Sequence, residues 1–143
     1  MRVHITIPGE PKGKERPRYS GKSGTIYTPN ATLKYEKMVA TVFKAECHGF
    51  KFPDGEPLDM RILAYLPVPQ SDDAATRLKK LSGEIRPTKK PDWDNIGKII
   101  ADALNGVAYH DDAQVVDAQT RKFYSDNPRV EIIIQNIQKG QTK

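Results

Sequence analysis

Between Lys90 and Val115 the chain reads KPDWDNIGKIIADALNGVAYHDDAQV. Asp92 and Asp94 stand at the head of an apolar-periodic helix, Lys98 lies inside it, and Asp111 with Asp112 follows the loop opened by Gly106. From Asp92 to Asp117 there are six aspartates, no glutamate and a single cation, Lys98. Clustered carboxylates repel one another unless something positive lies between them, and short oxygen ligands suit hard divalent ions. The arrangement is that of a metal-dependent phosphodiester-cutting site. Folding is expected to bring the two carboxylate groups within a few ångströms of each other.

Each residue also has a bland explanation. Asp94 suits the N-cap of the helix, worth about 1 kcal/mol, and Asp92 adds a favourable charge at its positive end. Asp111 and Asp112 suit an ordinary turn. Lys98 lies four residues from both Asp94 and Asp102, so it reads equally as two surface ion pairs, about 0.2–0.5 kcal/mol each, and as a charge stabiliser near a scissile phosphate. Trp93 is expected to point away from the aspartates and pack on the core. An EF-hand loop beginning at Asp92 fails because Ile96 and Ala103 fall on ligand positions. His4, His48 and His110 are scattered and Cys47 is the only cysteine, so neither a zinc cluster nor an intrachain disulfide is expected. Cys47 reads as a small buried apolar residue.

The net charge of +5 is unevenly spread. Residues 1–34 hold seven Lys or Arg against two Glu, and the remainder holds sixteen of each sign. A second basic cluster, Arg77, Lys79, Lys80, Arg86, Lys89 and Lys90, leads directly into Asp92. Most basic runs are solvated surface. A site that cuts a polyanion, however, needs cations along the approach to hold backbone phosphates. The residues suited to that task are Lys12, Lys14, Arg16, Arg18 and Lys22 in the first stretch and Arg77, Lys79, Lys80, Lys89 and Lys90 in the second.

The length of 143 residues suits one domain with one core. It is expected over 1–138, with a flexible tail over 139–143. No apolar run approaches the ~20 residues of a membrane span, and no signal-peptide pattern opens the chain; a cytoplasmic protein is expected. Alternation predicts strands over 2–8 and 58–64, the latter closed by Pro67 and Pro69. Gly, Pro and basic residues over 9–29 predict a long loop with a short hairpin around Gly21 and Gly24. Helical spacing predicts helices over 30–47 and 95–104, the second stopped at Gly106, and a short one in a mobile insert over 70–89, capped by Ser71 or Asp72. Strands over 115–124 and 129–137, joined by Ser125-Asp126-Asn127-Pro128, predict an antiparallel hairpin.

The pattern Asp-x-Asp-Asn, a lysine three residues on, an Asp-Ala-Leu helix end, then Asp-Asp-x-Gln-Val resembles the RusA-type Holliday junction resolvases, endodeoxyribonucleases common in phages and prophages. Asp92, Asp94, Asn95, Lys98, Asp102 to Leu104, Asp111, Asp112, Gln114 and Val115 carry the match. The resemblance implies a two-layer α+β domain with a small mixed β-sheet packed against helices. It implies Asp92, Asp94 and Asp112 as catalytic magnesium ligands, Mn²⁺ as a substitute ion, Lys98 as the catalytic lysine and Asp111 as a contributing ligand. It also implies a homodimer acting on four-way DNA junctions in recombination and repair, without a small-molecule cofactor. Paired symmetric nicks suit a twofold dimer. The competing readings are a non-catalytic DNA-binding module with a capped acidic helix, and a phosphohydrolase of small nucleotides. The extended cationic stretches argue against the second. Asn95, Asp102 and Gln114 match the pattern without a physical account from sequence.

Overall fold

The structure, a computed structural model, describes residues 1–137; the tail expected over 139–143 lies outside the described residues. Strand β1 (Arg2–Pro8) alternates as its sequence does, with Val3, Ile5 and Ile7 buried. The basic loop follows and contains a small two-stranded hairpin, β2 (Arg18–Tyr19) and β3 (Ile26–Tyr27). Helix α1 (Asn30–Glu46) buries Tyr35, Val39 and Phe43, one residue per turn. Next come β4 (Leu58–Pro67), α2 (Ala74–Leu81) and α3 (Trp93–Leu104). A single 3₁₀ turn (Asp112–Gln114) then leads into β5 (Val115–Ser125) and β6 (Arg129–Asn136).

The main sheet has the order β1-β6-β4-β5, with β4 and β5 parallel and the other pairs antiparallel. Helices α1 and α3 pack together against one face, closing a core that includes Phe43, Ile99, Ile100, Leu104, Tyr109 and Ile132. This is the expected two-layer α+β fold with a mixed sheet. On the opposite face Glu131 accepts hydrogen bonds from Arg129 at 2.9 Å and His4 at 3.0 Å. Burial opposes its charge, but these two donors hold its carboxyl below the usual glutamate range.

The expected hairpin of the last two strands is not formed: β4 lies between β5 and β6. Skipping one strand covers about 10 Å across a sheet, within reach of the three residues 126–128. Burial decides which strand is central. Val130, Ile132 and Ile134 of β6 are fully buried, whereas β5 exposes residues 116–119 on both faces and takes the edge. The parallel β4–β5 pair needs a long crossover, which α2 and α3 supply.

Four local expectations are also corrected. The α2 cap is Asp73, whose side chain accepts from the Thr76 amide at 2.8 Å, rather than Ser71 or Asp72. Helix α3 begins at Trp93 with Asp92 at the N-cap position, so Asp94 lies inside the first turn. Trp93 is 65% exposed, because at the helix start it points away from the Ile96, Ile99 and Ile100 face that meets the core. Cys47 is half-buried against the core edge.

Candidate active site

Helix α3 holds the first carboxylate group. Asp92 has the extended backbone of an N-cap, yet its side chain makes no capping hydrogen bond. Among the described residues the Asp94 carboxylate accepts only from the neighbouring Asn95 amide, at 3.0 Å. Both residues are exposed. The helix start thus gains their favourable charge, but the carboxylates are not consumed in closing it.

The second group is built at the other end of α3. Gly106 takes a left-handed φ of 73°, turning the chain so that the buried Tyr109 donates its hydroxyl to the Ala101 carbonyl at 2.8 Å. Asn105 Oδ1 accepts the Asp112 amide at 2.9 Å. Gln114 Oε1 accepts the amides of His110 at 3.1 Å and Asp111 at 3.3 Å, while its Nε2 donates to the carbonyls of Pro53 and Glu56, both at 3.0 Å. That one buried side chain ties the Asp-Asp turn to the loop before β4. Burial, then the neighbouring carboxylates of Asp111 and Asp102, push the Asp112 carboxyl up from its ordinary value. Tyr109 is likewise raised, first by burial and then by these aspartates.

The two groups lie at opposite ends of one helix. From Asp94 to Asn105 the axial rise is about 16 Å, at about 1.5 Å per residue. Accordingly, among the described residues no three His, Cys, Asp or Glu side chains converge as a metal site. The expected approach of the groups to within a few ångströms is not made inside one chain, because a rigid helix separates them. Lys98 lies between them on the exposed surface of α3. The ion pairs offered for it do not form: Asp102 pairs with Lys14 at 3.2 Å, and among the described residues Lys98 makes no ion pair.

The basic loop folds onto the first group. Lys12, Lys14, Arg16 and Arg18 line a cavity of about 720 Å³ together with Lys90 and Asp92. Lys14 is spent on structure, since its ammonium lies 2.6 Å from Glu36 and 3.2 Å from Asp102, joining the loop to α1 and α3. Burial works against that charge, and the two carboxylates overcome it and raise the Lys14 pKa. Lys22 sits apart in the exposed β2–β3 turn. In the insert, Lys80 is held by Asp72 at 2.6 Å and lies over the Tyr124 ring, whereas Arg77, Lys79 and Lys89 carry no such carboxylate partner among the described residues. Lys122 anchors the insert by donating to the Lys89 carbonyl at 2.6 Å.

Sequence reasoning missed Asn105, Tyr109 and Glu36, whose partners are distant in the chain or follow from the turn geometry. The unexplained motif positions now have contacts. Asn95 gives its backbone carbonyl to the Lys14 amide at 2.8 Å, Asp102 holds Lys14, and Gln114 pins the aspartate turn.

The fold is α+β with a mixed sheet, and helix α3 carries carboxylates at both its ends, beside a cationic cleft. The family Endodeoxyribonuclease RusA matches residues 8–135, and the chain belongs to that family. Membership makes it a nuclease of the class that resolves branched DNA junctions. The chain is also similar to "Uncharacterized protein YqaN" of Bacillus subtilis (strain 168), 37% identical over 138 residues, covering 94% of this chain and 96% of that protein. Among the described residues no helix is long and apolar enough to cross a membrane.

Proposed function

We propose that this protein is a magnesium-dependent endodeoxyribonuclease that resolves four-way DNA junctions as a twofold homodimer, nicking symmetrically in recombination and repair. The observation that carries the reading is Asp92 in the wall of a cavity also lined by Lys12, Arg16, Arg18 and Lys90. Cations there hold the phosphate backbone against a carboxylate able to carry a metal. The donor set fits a hard divalent ion: every candidate ligand is a carboxylate oxygen, and Asp112 is crowded by Asp111 and Asp102.

Asp92, Asp94 and Asp112 would hold the ion, with Asp111 contributing, and the bound ion supplies water activation and Lewis acidity at the phosphoryl group. Because α3 keeps Asp92 and Asp94 away from Asp112 in one protomer, a twofold pairing along α3 completes the set. It sets the carboxylates at the start of one helix against Asp111 and Asp112 of a second copy. Supporting that pairing are the exposed Trp93 and Val116, 65% and 58% accessible, on α3 and on the open edge strand β5. Lys98, without an ion pair among the described residues, supplies an ammonium for the charge developing on the phosphoryl oxygens. Products carry 5′-phosphate and 3′-hydroxyl ends.

Cleavage of a four-way junction with Mg²⁺ and with EDTA tests the reading. Paired, metal-dependent nicks are expected, with Asp92→Asn and Asp112→Asn binding the junction but not cutting it. Cutting by either variant at the wild-type rate would overturn the assignment. Tight binding by the wild type with no cutting under any divalent ion would favour a non-catalytic junction-binding module.

A further inference from the structure

The hairpin in the basic loop carries side chains that a phosphate track does not use. In β2–β3, Tyr19 is 69% exposed, Ile26 74% and Tyr27 47%. Tyr19 stands opposite Ile26, and Arg18 opposite Tyr27. Directly opposed residues share one face of a ribbon, so Tyr19 and Ile26 form an apolar pair on one face while Arg18 and Tyr27 lie on the other. Large apolar side chains are usual at the surface when scattered singly, but three of them within four paired positions mark a contact surface.

The ribbon is held in shape by its own turn. The Ser20 amide donates to the Thr25 carbonyl and the Gly24 amide to the Ser20 carbonyl, both at 2.8 Å, and the hydroxyls of Ser23 and Thr25 are 2.6 Å apart. A side-chain carbon added at Gly24 would lie 3.7 Å from the Tyr19 hydroxyl, so the Tyr19 ring lies toward the turn. At its other end the ribbon grows from the wall of the Asp92 cavity, to which Arg16, Pro17 and Arg18 belong. From Arg16 to Lys34 the chain holds four cations, Arg16, Arg18, Lys22 and Lys34, and no carboxylate. Among the described residues Arg18 alone of these has an ion-pair partner, Glu15 at 3.2 Å.

From this placement we infer that β2–β3 recognises the branch itself: the Tyr19–Ile26 face stacks on bases uncovered where the arms of a junction meet, beside the phosphate held at Asp92. Charge decides the occupant. A cationic ribbon without carboxylates repels a second copy of itself, whereas DNA offers both a phosphate for Lys22 and a flat apolar face for Tyr19. Continuous duplex presents phosphates but keeps its base faces covered, so the cations grip either form of DNA and the apolar pair gains only at a branch. Apolar side chains wedge between stacked bases at a cost in unstacking, and that cost is least where stacking is already broken. The inference rests on the DNA-cutting reading above and adds to it a source of selectivity for branched over continuous DNA.

The test measures the affinity of the full chain for a four-way junction and for a duplex of matched sequence, by mobility shift in Ca²⁺, with cutting of the junction followed separately in Mg²⁺. The double variant Tyr19→Ser with Ile26→Ser, its fold checked by circular dichroism, is expected to bind the junction about tenfold more weakly than wild type and the duplex equally well. Tyr19→Phe keeps the ring and is expected to bind both as wild type does. Wild-type junction affinity in the double variant, an equal loss on the duplex, or the same loss in Tyr19→Phe would overturn the inference, while metal-dependent cutting by the wild type leaves the nuclease reading standing. A double variant whose free form sediments as a smaller species than wild type would assign the face to a second copy and overturn the inference as well. A wild type that neither prefers the junction nor cuts it would sink both readings.

Discussion

Replacing Gln114 with leucine removes the side chain that makes most of the hydrogen bonds holding the Asp111–Asp112 turn to the body of the domain, Asn105 supplying another. Four hydrogen bonds are lost, two to the amides of His110 and Asp111 and two to the carbonyls of Pro53 and Glu56. At about 0.5–1.5 kcal/mol net each, the loss is about 2–6 kcal/mol. His110, Asp111 and Pro53 are exposed, so water can replace part of what is lost, and leucine keeps most of the packing. The expected destabilisation is therefore about 2–3 kcal/mol, at the lower end of that range. Urea unfolding read by tryptophan fluorescence and far-ultraviolet circular dichroism measures it. Gln114→Glu sharpens the test, because it keeps an acceptor for the two amides but turns a negative oxygen toward two carbonyls. That contact disfavours the charged form, so the folded-state pKa of the new carboxyl lies above the ordinary value near 4.3. The penalty is then full at neutral pH and shrinks as pH falls through that raised pKa. Unfolding free energies of Gln114→Leu within 0.5 kcal/mol of wild type, roughly the scatter of neutral surface changes, would refute the account of this residue.

Other consequences can be checked with the same preparations. Lys14→Met leaves Glu36 and Asp102 without their shared cation and is expected to cost about 1–3 kcal/mol, since the pairs are part-buried; the double change with Glu36→Gln should recover part of it in a double-mutant cycle. Glu131 titrates below its ordinary value in the folded state, so it contributes stability above the unfolded glutamate pKa and loses it as pH falls through the folded one. Thermal melts between pH 3 and 7 should show a shallower acid decline for Glu131→Gln. Mixing Asp92→Asn protomers with Asp112→Asn protomers tests the shared site: random pairing makes half the dimers mixed, and each mixed dimer holds one intact site of two. About a quarter of wild-type nicking should return, as single nicks, under the pairing proposed here. No recovery after subunit exchange would mean that each site lies within one chain.

Apolar spacing made most of the secondary structure legible. The strand over Arg2–Pro8, both long helices and the small basic hairpin follow from alternation, helical periodicity and glycine turn signals. Helix α2 was legible as an element but not in its cap, since Ser71, Asp72 and Asp73 are all competent and only the path of the chain selects Asp73. The hairpin expected of β5 and β6 failed for a non-local reason. Turn residues specify that the chain bends, while strand order depends on which surfaces the rest of the domain leaves to cover. Trp93 was misplaced similarly, because an extended Asp-Trp-Asp would send it inward whereas the first turn of a helix exposes it.

By itself the sequence determined the family and the identities of the candidate chemical groups, for spacing along one helix and its loop is a local property that the chain writes directly. Only the tertiary structure decided where those groups stand. A helix about 18 Å long, at about 1.5 Å per residue, holds the aspartates at its two ends apart. Asn105, Tyr109 and Gln114 fix the second pair by contacts that sequence spacing does not announce. The basic loop, which the sequence marks only as a cationic stretch with a hairpin, becomes one wall of a cavity because Gly13 and Lys14 meet Asn95 and Glu36 across the fold.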